Sequence, residues 1–455
     1  MRRRLIGVLA IPVLIVIAIG IYFIPPIHAR LSLRVGEIVG QIKYYFSPPE
    51  QAVFQPQQSQ QDAIKAIVNA TMQAFDSAQA AAQTPTAATP LSAANEATPT
   101  STLAPLPATI NLPGVIYVDQ RGRWNYCGPA NLTMALKFWG WQGNADDVAK
   151  VVKPGENDPT KSFIDRGFTD KNVMPYELVD FVNDNTQFHA LVRYGGDIQL
   201  IKTMVAAGFP VLAEKGYYEA DYNGKIGWLG HYQFITGYDD NAQQLIVQDT
   251  WNDGPNFHIA YDTFMNGWRS FDYIFIVVYP ADRENDVMTL LGSYSDPKWA
   301  AQNALNVDNK DVQTLTGMDL FFAWFAKGTS RVALQQYTDA ANAYDRAFSI
   351  YNSLGNDNSE RPYRMMWYQS GPYFAYYYSA RYQDVIDLAN TTLNKTIAAP
   401  TLEESLYWRG MAEKAFGDTT DAITDFKKAN YLNPKTAAII QALQSLGITP
   451  EKPIE

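Results

Sequence analysis

Leu5 to Ile24 is an unbroken apolar run, and no other feature limits the fold of this 455-residue chain so tightly. It is about the length that spans a bilayer as a helix, and a soluble domain has no place for it. Pro12 would kink such a helix, which membrane helices tolerate. Arg2, Arg3 and Arg4 precede the run, so the positive-inside rule leaves the N-terminus in the cytoplasm and the rest outside. The run exceeds the apolar core of a secretory signal, and Pro25-Pro26-Ile27-His28-Ala29-Arg30 is a poor cleavage site. Residues 1–27 are therefore expected to be a cytoplasmic tip and an uncleaved single-pass anchor in the cell membrane.

Residues 28–79 read as a juxtamembrane helical stalk. Leu31, Leu33, Val35, Ile38, Val39 and Ile42 alternate with Arg30, Arg34 and Lys43, a pattern suited to a membrane surface, to self-association or to a solvated helix. Residues 80–111 are mostly Ala, Thr, Pro and Ser. Such a linker cannot bury a core, and it is expected to be a disordered tether that holds the rest away from the membrane. Beyond it the length and apolar content suffice for two globular units, 112–283 and 284–455. The formal net charge of −10 excludes nucleic acid as an expected partner, because phosphate binding needs a basic face. No Gly-rich phosphate loop and no Cys/His cluster with zinc spacing occurs, so neither cofactor nor metal is expected.

Cys127 is the single cysteine of the chain. Leu132, Ala135, Leu136 and Trp139 recur at helical spacing behind it, Pro129 suits a first turn, and Gly140 is a natural stop. The thiol is thus placed at a helix N-terminus, where unpaired N–H groups and the macrodipole favour a thiolate, the form that acts as a nucleophile. A buried structural cysteine is the competing reading.

The unit over 112–283 reads as α+β. A short strand is expected over Gly114–Val118, then helices after Cys127, over Ala145–Val152 and from Met174 to Asn183. A strand over Phe188–Val192 and a helix from Ile198 to Ala207 follow. Strands over Phe209–Ala213, Gly230–Tyr238, Gln244–Asp249 and Tyr273–Tyr279 complete it. Asp239-Asp-Asn-Ala242 is a turn cluster. A turn centred near Asp240 sets His231 opposite Asp249, and a register two residues away still leaves both on one face. A thiol needs an imidazole to take its proton, the imidazole needs a group to fix its tautomer, and acyl transfer needs an oxyanion donor. His231, Asp249 and Gln120 are the candidates for these parts. Among the other histidines, His28 lies beside the membrane, His189 is expected to pack on the core, and His258 to sit in a surface loop. Asp239 and Asp253 read as turn formers. Trp228, Trp251, Tyr217 and Tyr218 are candidates either for a substrate groove or for core.

Gln120, the Asn125-Tyr-Cys127-Gly-Pro-Ala130 block, the Gly230-His231-Tyr-Gln-Phe-Ile-Thr-Gly-Tyr-Asp239 strand and Val247-Gln-Asp249 together resemble the bacteriocin-processing (double-glycine) peptidases, a family of papain-like cysteine peptidases. The resemblance covers about residues 112 to 281. It implies a papain-like fold with Cys127 as nucleophile, His231 as general base, Asp249 as orienter and Gln120 as oxyanion donor. The chain departs from the family in carrying no ATP-binding cassette or multi-span exporter region. It also reads Thr250-Trp251 after Asp249, where many relatives have Pro.

From Asp296 onward the pattern is helical and repetitive. Trp324, Gly328, Tyr337, Ala340, Tyr344 and Ala347 form one set. Tyr382, Val385 and Ala389 form a weaker one, and Gly410, Gly417, Ala422, Phe426, Ala429 and Pro434 a third. These resemble the tetratricopeptide repeat, a helix–turn–helix unit of about 34 residues. Such arrays bind peptides or proteins in a groove. A cap that only stabilises the peptidase is the alternative. Tyr373, Tyr376, Tyr377 and Tyr378 suit either peptide contact or packing. The whole is expected to be a membrane-anchored cysteine peptidase acting on a peptide or protein substrate, its repeats recruiting substrate or partner. A catalytically silent scaffold and a transglutaminase-like or amidase acyl transferase are the rivals.

Overall fold

A computed structural model describes residues 54–56, 105–123, 125–170, 172–220, 226–354, 361–397 and 400–454. The expected anchor over 1–27 and most of the expected stalk and linker lie outside them. Among the described residues no helix is long and apolar enough to cross a membrane.

Among the described residues seven strands form one antiparallel sheet. They are β1 (Thr109–Asn111), β2 (Phe188–Arg193), β3 (Val211–Ala220), β4 (Ile226–Asp239), β5 (Gln244–Gln248), β6 (Phe257–Ala260) and β7 (Phe275–Pro280). Their order is β2-β7-β3-β4-β5-β6, and β1 pairs with the end of β4. The expected strand over Gly114–Val118 is absent; the chain pairs earlier, at Thr109–Asn111, and runs on as an irregular segment. β6 and the helix α6 that follows (Tyr261–Arg269) were not foreshadowed. Gly267 is small there because a Cβ would lie 2.4 Å from the Gly216 carbonyl of β3.

Five more helices complete this unit: α1 (Cys127–Phe138), α2 (Ala145–Val152), α3 (Phe163–Arg166), α4 (Pro175–Asn185) and α5 (Ile198–Ala206). The sheet is buried on both faces. Leu212, Phe234 and Ile276 pack with Leu132 and Leu136 of α1. Their neighbours Val211, Ile235 and Val277 pack with Ile201 and Val205 of α5. Each such side chain taken from water contributes about 1.5–3 kcal/mol, which fixes the register of the central strands. α1 is thereby clamped on one face with its N-terminus against β4.

The β4–β5 hairpin contains a bulge. Tyr238 faces Leu245 and Gly237 faces Ile246, but Ile235 faces Val247 and Phe234 faces Gln248, so Thr236 is an extra residue. Continued without the bulge, the register would set Phe234 opposite Asp249 and turn that carboxylate to the other face. With it, Asp249 falls on the face shared by His231 and Gln233. The register is two residues from the expected one, and Gln233 rather than His231 is level with Asp249.

The second unit is helical. Its long members are α8 (Pro297–Thr314), α9 (Gly317–Ala333), α10 (Tyr337–Ser353), α14 (Glu403–Phe416) and α15 (Thr419–Leu432), with the helix α7 (Glu284–Leu291) leading in. Between α10 and α14 lie the short α11 (Met365–Tyr368), α12 (Gly371–Tyr378) and α13 (Tyr382–Thr391), and α16 (Ala437–Ser445) closes the set. Gly328 of α9 admits the Tyr344 ring of α10, where a Cβ would lie at 2.5 Å. Gly410 of α14 likewise admits Phe426 of α15, at 2.8 Å. Tyr373 and Tyr376 are wholly buried and hydrogen-bonded, to Ser405 and Asp345, so they pack; Tyr378 is exposed. Phe54, far upstream, is also buried here, its ring 5.1 Å from Phe348 and 5.8 Å from Tyr376.

The two units share a core. Trp228 of β4 stacks on Phe271 and meets Phe322 of α9 and Tyr368 of α11. Ser330 of α9 hydrogen-bonds both Asp272 (2.9 Å) and Asp308 of α8 (2.8 Å).

Candidate active site

Cys127 opens α1, and no side chain caps that helix. Its first N–H groups therefore remain available, and the sulfur is hydrogen-bonded by the backbone of Gly128 and of Tyr232. Asn125 holds the preceding turn at φ 50°, a left-handed position that Asn tolerates, with its Nδ2 donating to the Asp170 carbonyl at 3.1 Å. Tyr126 is tied by its hydroxyl to Asp146 at 2.6 Å. Gly128 leaves room not for an open cleft but for Val173, whose Cβ would lie 3.2 Å from an added Cβ.

His231 of β4 hydrogen-bonds the Cys127 thiol. Its Nε2 lies 3.1 Å from Oδ2 of Asp249. Both His231 and Asp249 are buried. Gln233 donates to the same Oδ2 at 2.8 Å, while Oδ1 accepts from the backbone of Trp251 (2.9 Å) and Asn252 (3.0 Å). Asp249 is thus fixed from four directions and cannot turn away from the imidazole. Gln233 was missed in the sequence, where it reads as one more polar residue on an alternating strand.

The charges of this group support one another. Burial alone would raise the Cys127 thiol; the hydrogen bond and charge of His231, with the two backbone donors, hold it below its ordinary value. Burial alone would lower His231; the charge and hydrogen bond of Asp249, then Cys127, push it up to about 10. Asp249 is held far below the usual carboxylate range: burial opposes this, and His231 outweighs it, aided by Gln233 and Trp251. Glu214, opposite Tyr232 on β3, is raised well above its ordinary value by burial and then by the Cys127 charge.

Gln120 is buried one segment before α1. Its N–H donates to the Thr250 carbonyl at 3.0 Å, and its Oε1 accepts from the Thr250 hydroxyl at 2.6 Å. Among the described residues its Nε2 has no hydrogen-bond partner, which leaves a free side-chain donor.

A pocket of about 230 Å³ opens over His231, Gln233 and Asp249, walled by Lys215, Tyr217, Tyr218 and Trp251. Trp228, by contrast, is core. The helical unit reaches this region too: a Cβ on Gly230 would lie 2.8 Å from Tyr368, and Gln369 donates to the Ser270 carbonyl at 2.7 Å. The remaining described histidines stand apart. His189 is half-exposed: its ring meets buried Tyr279 edge-on at 5.9 Å, and its Nδ1 pairs with Glu284 at 3.1 Å. His258 lies on β6 rather than in a loop, opposite Ile246, with its Nδ1 3.3 Å from the Gln244 side-chain oxygen. Asp239 does form a turn, accepting from the backbone of Asn241 and Ala242.

Residues 112–274 match the model of the Peptidase_C39 like family, a stretch that contains Gln120, Cys127, His231 and Asp249. Among solved structures, the chain is similar to a putative C39-like peptidase from Bacillus anthracis, at 17% identity and a TM-score of 0.30, with 37% of this chain and 96% of that one covered. It is similar to the peptidase domain of Streptococcus ComA, described as a bi-functional ABC transporter involved in a quorum sensing pathway, at 16% identity and 0.26, with 37% and 98% covered. For xylellain, a cysteine protease from Xylella fastidiosa, the values are 18% and 0.25, with 39% and 87% covered. No curated protein matches the chain. Over residues 112–274 the chain is thus similar to the Peptidase_C39 like family, and it reads as a cysteine peptidase.

Proposed function

We propose that this chain is a membrane-anchored peptidase that hydrolyses peptide bonds with Cys127 as nucleophile, His231 as base and acid, Asp249 as orienter and Gln120 as oxyanion donor. The observation that carries the reading is the run of contacts from the Cys127 thiol through His231 to Asp249, with the thiol held low and the imidazole held high. The thiolate attacks the scissile carbonyl carbon, and the oxyanion takes the Gln120 amide and a backbone N–H at the start of α1. The imidazolium protonates the leaving amine as the C–N bond breaks, leaving a thioester. A water, deprotonated by His231, then attacks the thioester and frees the thiolate. No step calls for a metal or cofactor.

The helical unit is proposed to be a tetratricopeptide-like array that recruits a protein substrate or partner. Two helix pairs support this, each with a Gly in its first helix and an aromatic ring at the same spacing in its second, Gly328 with Tyr344 and Gly410 with Phe426. The anchor rests on the run from Leu5 to Ile24. The test is digestion of a fluorogenic peptide library by the full chain in detergent, beside Cys127→Ala. Cleavage is expected only with Cys127 present, and iodoacetamide at pH 6 is expected to abolish it in step with labelling of this single thiol. Cleavage that survives Cys127→Ala overturns the reading. Cross-linked product in place of hydrolysis, when a primary amine is supplied, makes the enzyme a transferase.

A further inference from the structure

A glutamine amide has two ends of similar shape and opposite chemistry, and only its nitrogen can donate to an oxyanion. Something must keep Gln120 from presenting its oxygen. The hydrogen bonds around Thr250 have one consistent direction. Asn131, one turn along α1 from Cys127, places its Nδ2 2.9 Å from the carbonyl of Cys127 and 2.9 Å from that of Tyr232. Carbonyls only accept, so the nitrogen end of Asn131 is fixed on that side. The same Nδ2 lies 3.4 Å from Thr250 Oγ1, and an amide nitrogen accepts nothing, so the Thr250 proton does not turn towards Asn131 and goes to Gln120 at 2.6 Å. A group that receives a proton there must be an oxygen. The Gln120 oxygen is held by Thr250, and Nε2 is the end left over. Thr250 is wholly buried, so water cannot substitute for it.

We propose that Thr250 is a positioning residue: its hydroxyl sets the amide of Gln120 so that the nitrogen faces the reacting carbonyl. This rests on the reading of Gln120 as oxyanion donor.

The test is a double-mutant cycle in the full chain, read on the best-cleaved library peptide. Thr250→Val, of like shape, is expected to lower kcat about tenfold with KM unchanged. That lies between the twofold loss of a freely flipping amide and the roughly 10²–10³-fold loss on removing an oxyanion donor outright. Thr250→Ser is expected to restore kcat to within about twofold. In a Gln120→Ala background Thr250→Val is expected to cost nothing further, because the two act through one donor. Iodoacetamide labelling of Cys127 is expected at the wild-type rate in Thr250→Val, since the thiol and imidazole are untouched. An unchanged kcat in Thr250→Val, an equal loss in both backgrounds, or a parallel loss of labelling overturns the proposal. A wild-type kcat in Gln120→Ala instead fells the oxyanion reading beneath it, and activity in Cys127→Ala fells the peptidase reading itself.

Discussion

Asp249→Asn isolates the electrostatic part of the site. The side chains of Asp249 and His231 are buried and 3.1 Å apart at the closest atoms. Taking charge centres about 4 Å apart and an effective dielectric of about 20, the pair is worth about 4 kcal/mol. At 1.36 kcal/mol per pKa unit, its loss lowers the imidazolium by about 3 units. His231, now at about 10, is then expected near 7. Protonation of the leaving amine needs the imidazolium, so the alkaline limb of kcat/KM reports this group in the free enzyme. The limb is expected near 10 in the wild type and near 7 in Asp249→Asn. The Cys127 limb moves upward as its cationic neighbour is lost, and the active window closes from both sides. A kcat/KM profile between pH 4 and 11, with alkylation of Cys127 followed in parallel, measures both limbs. An alkaline limb that moves by less than about half a unit refutes the claim that Asp249 holds the imidazole charged.

Two further changes probe the joint between the units. A single hydroxyl proton cannot serve both Asp272 and Asp308, so one of these buried carboxyls donates to Ser330 Oγ and is itself protonated. Burial raises both acids well above their ordinary values, Asp308 adding to the effect on Asp272. A raised carboxyl gives most stability below its unfolded pKa of about 3.8 and loses it as pH climbs towards the folded value; Asp308→Asn is expected to flatten this decline, raising Tm at pH 8 more than at pH 4 by calorimetry, and an unchanged slope refutes it. Gly230→Ala places a Cβ 2.7 Å from Phe271 and 2.8 Å from Tyr368; a cost of about 1–3 kcal/mol is expected in thermal melts, and no change in Tm would mean that the rings move aside freely.

The cysteine helix was legible because its signals are local: Pro129 in a first turn, an apolar stripe from Leu132, and Gly140 at φ +91° as a stop. The hairpin was legible only to parity. Turn chemistry located Asp239, but the pairing at the turn is three residues from the expected one, and the extra residue at Thr236, which has no signature of its own, takes one back and leaves a slip of two. Asp249 and His231 still met, because an even slip preserves the face. Gln233 and Asn131 were not singled out, and Thr250 was visible only as a departure from relatives. Gln233 meets Asp249 only through the bulged pairing of one hairpin, and the parts of Asn131 and Thr250 come from hydrogen bonds between segments more than a hundred residues apart, which no window along the chain contains. The tyrosine cluster left two readings open until burial separated Tyr373 and Tyr376 from Tyr378.

Phe54 makes the helical unit depend on a residue far upstream of it. Its ring is buried against Phe348 and Tyr376. A buried Phe contributes about 1.5–3 kcal/mol, and its aromatic neighbours about 0.5–1.5 more. A helical unit cut out from residue 284 onward would carry an empty socket beside Phe348 and Tyr376, and would lose that contribution although every one of its own residues was present.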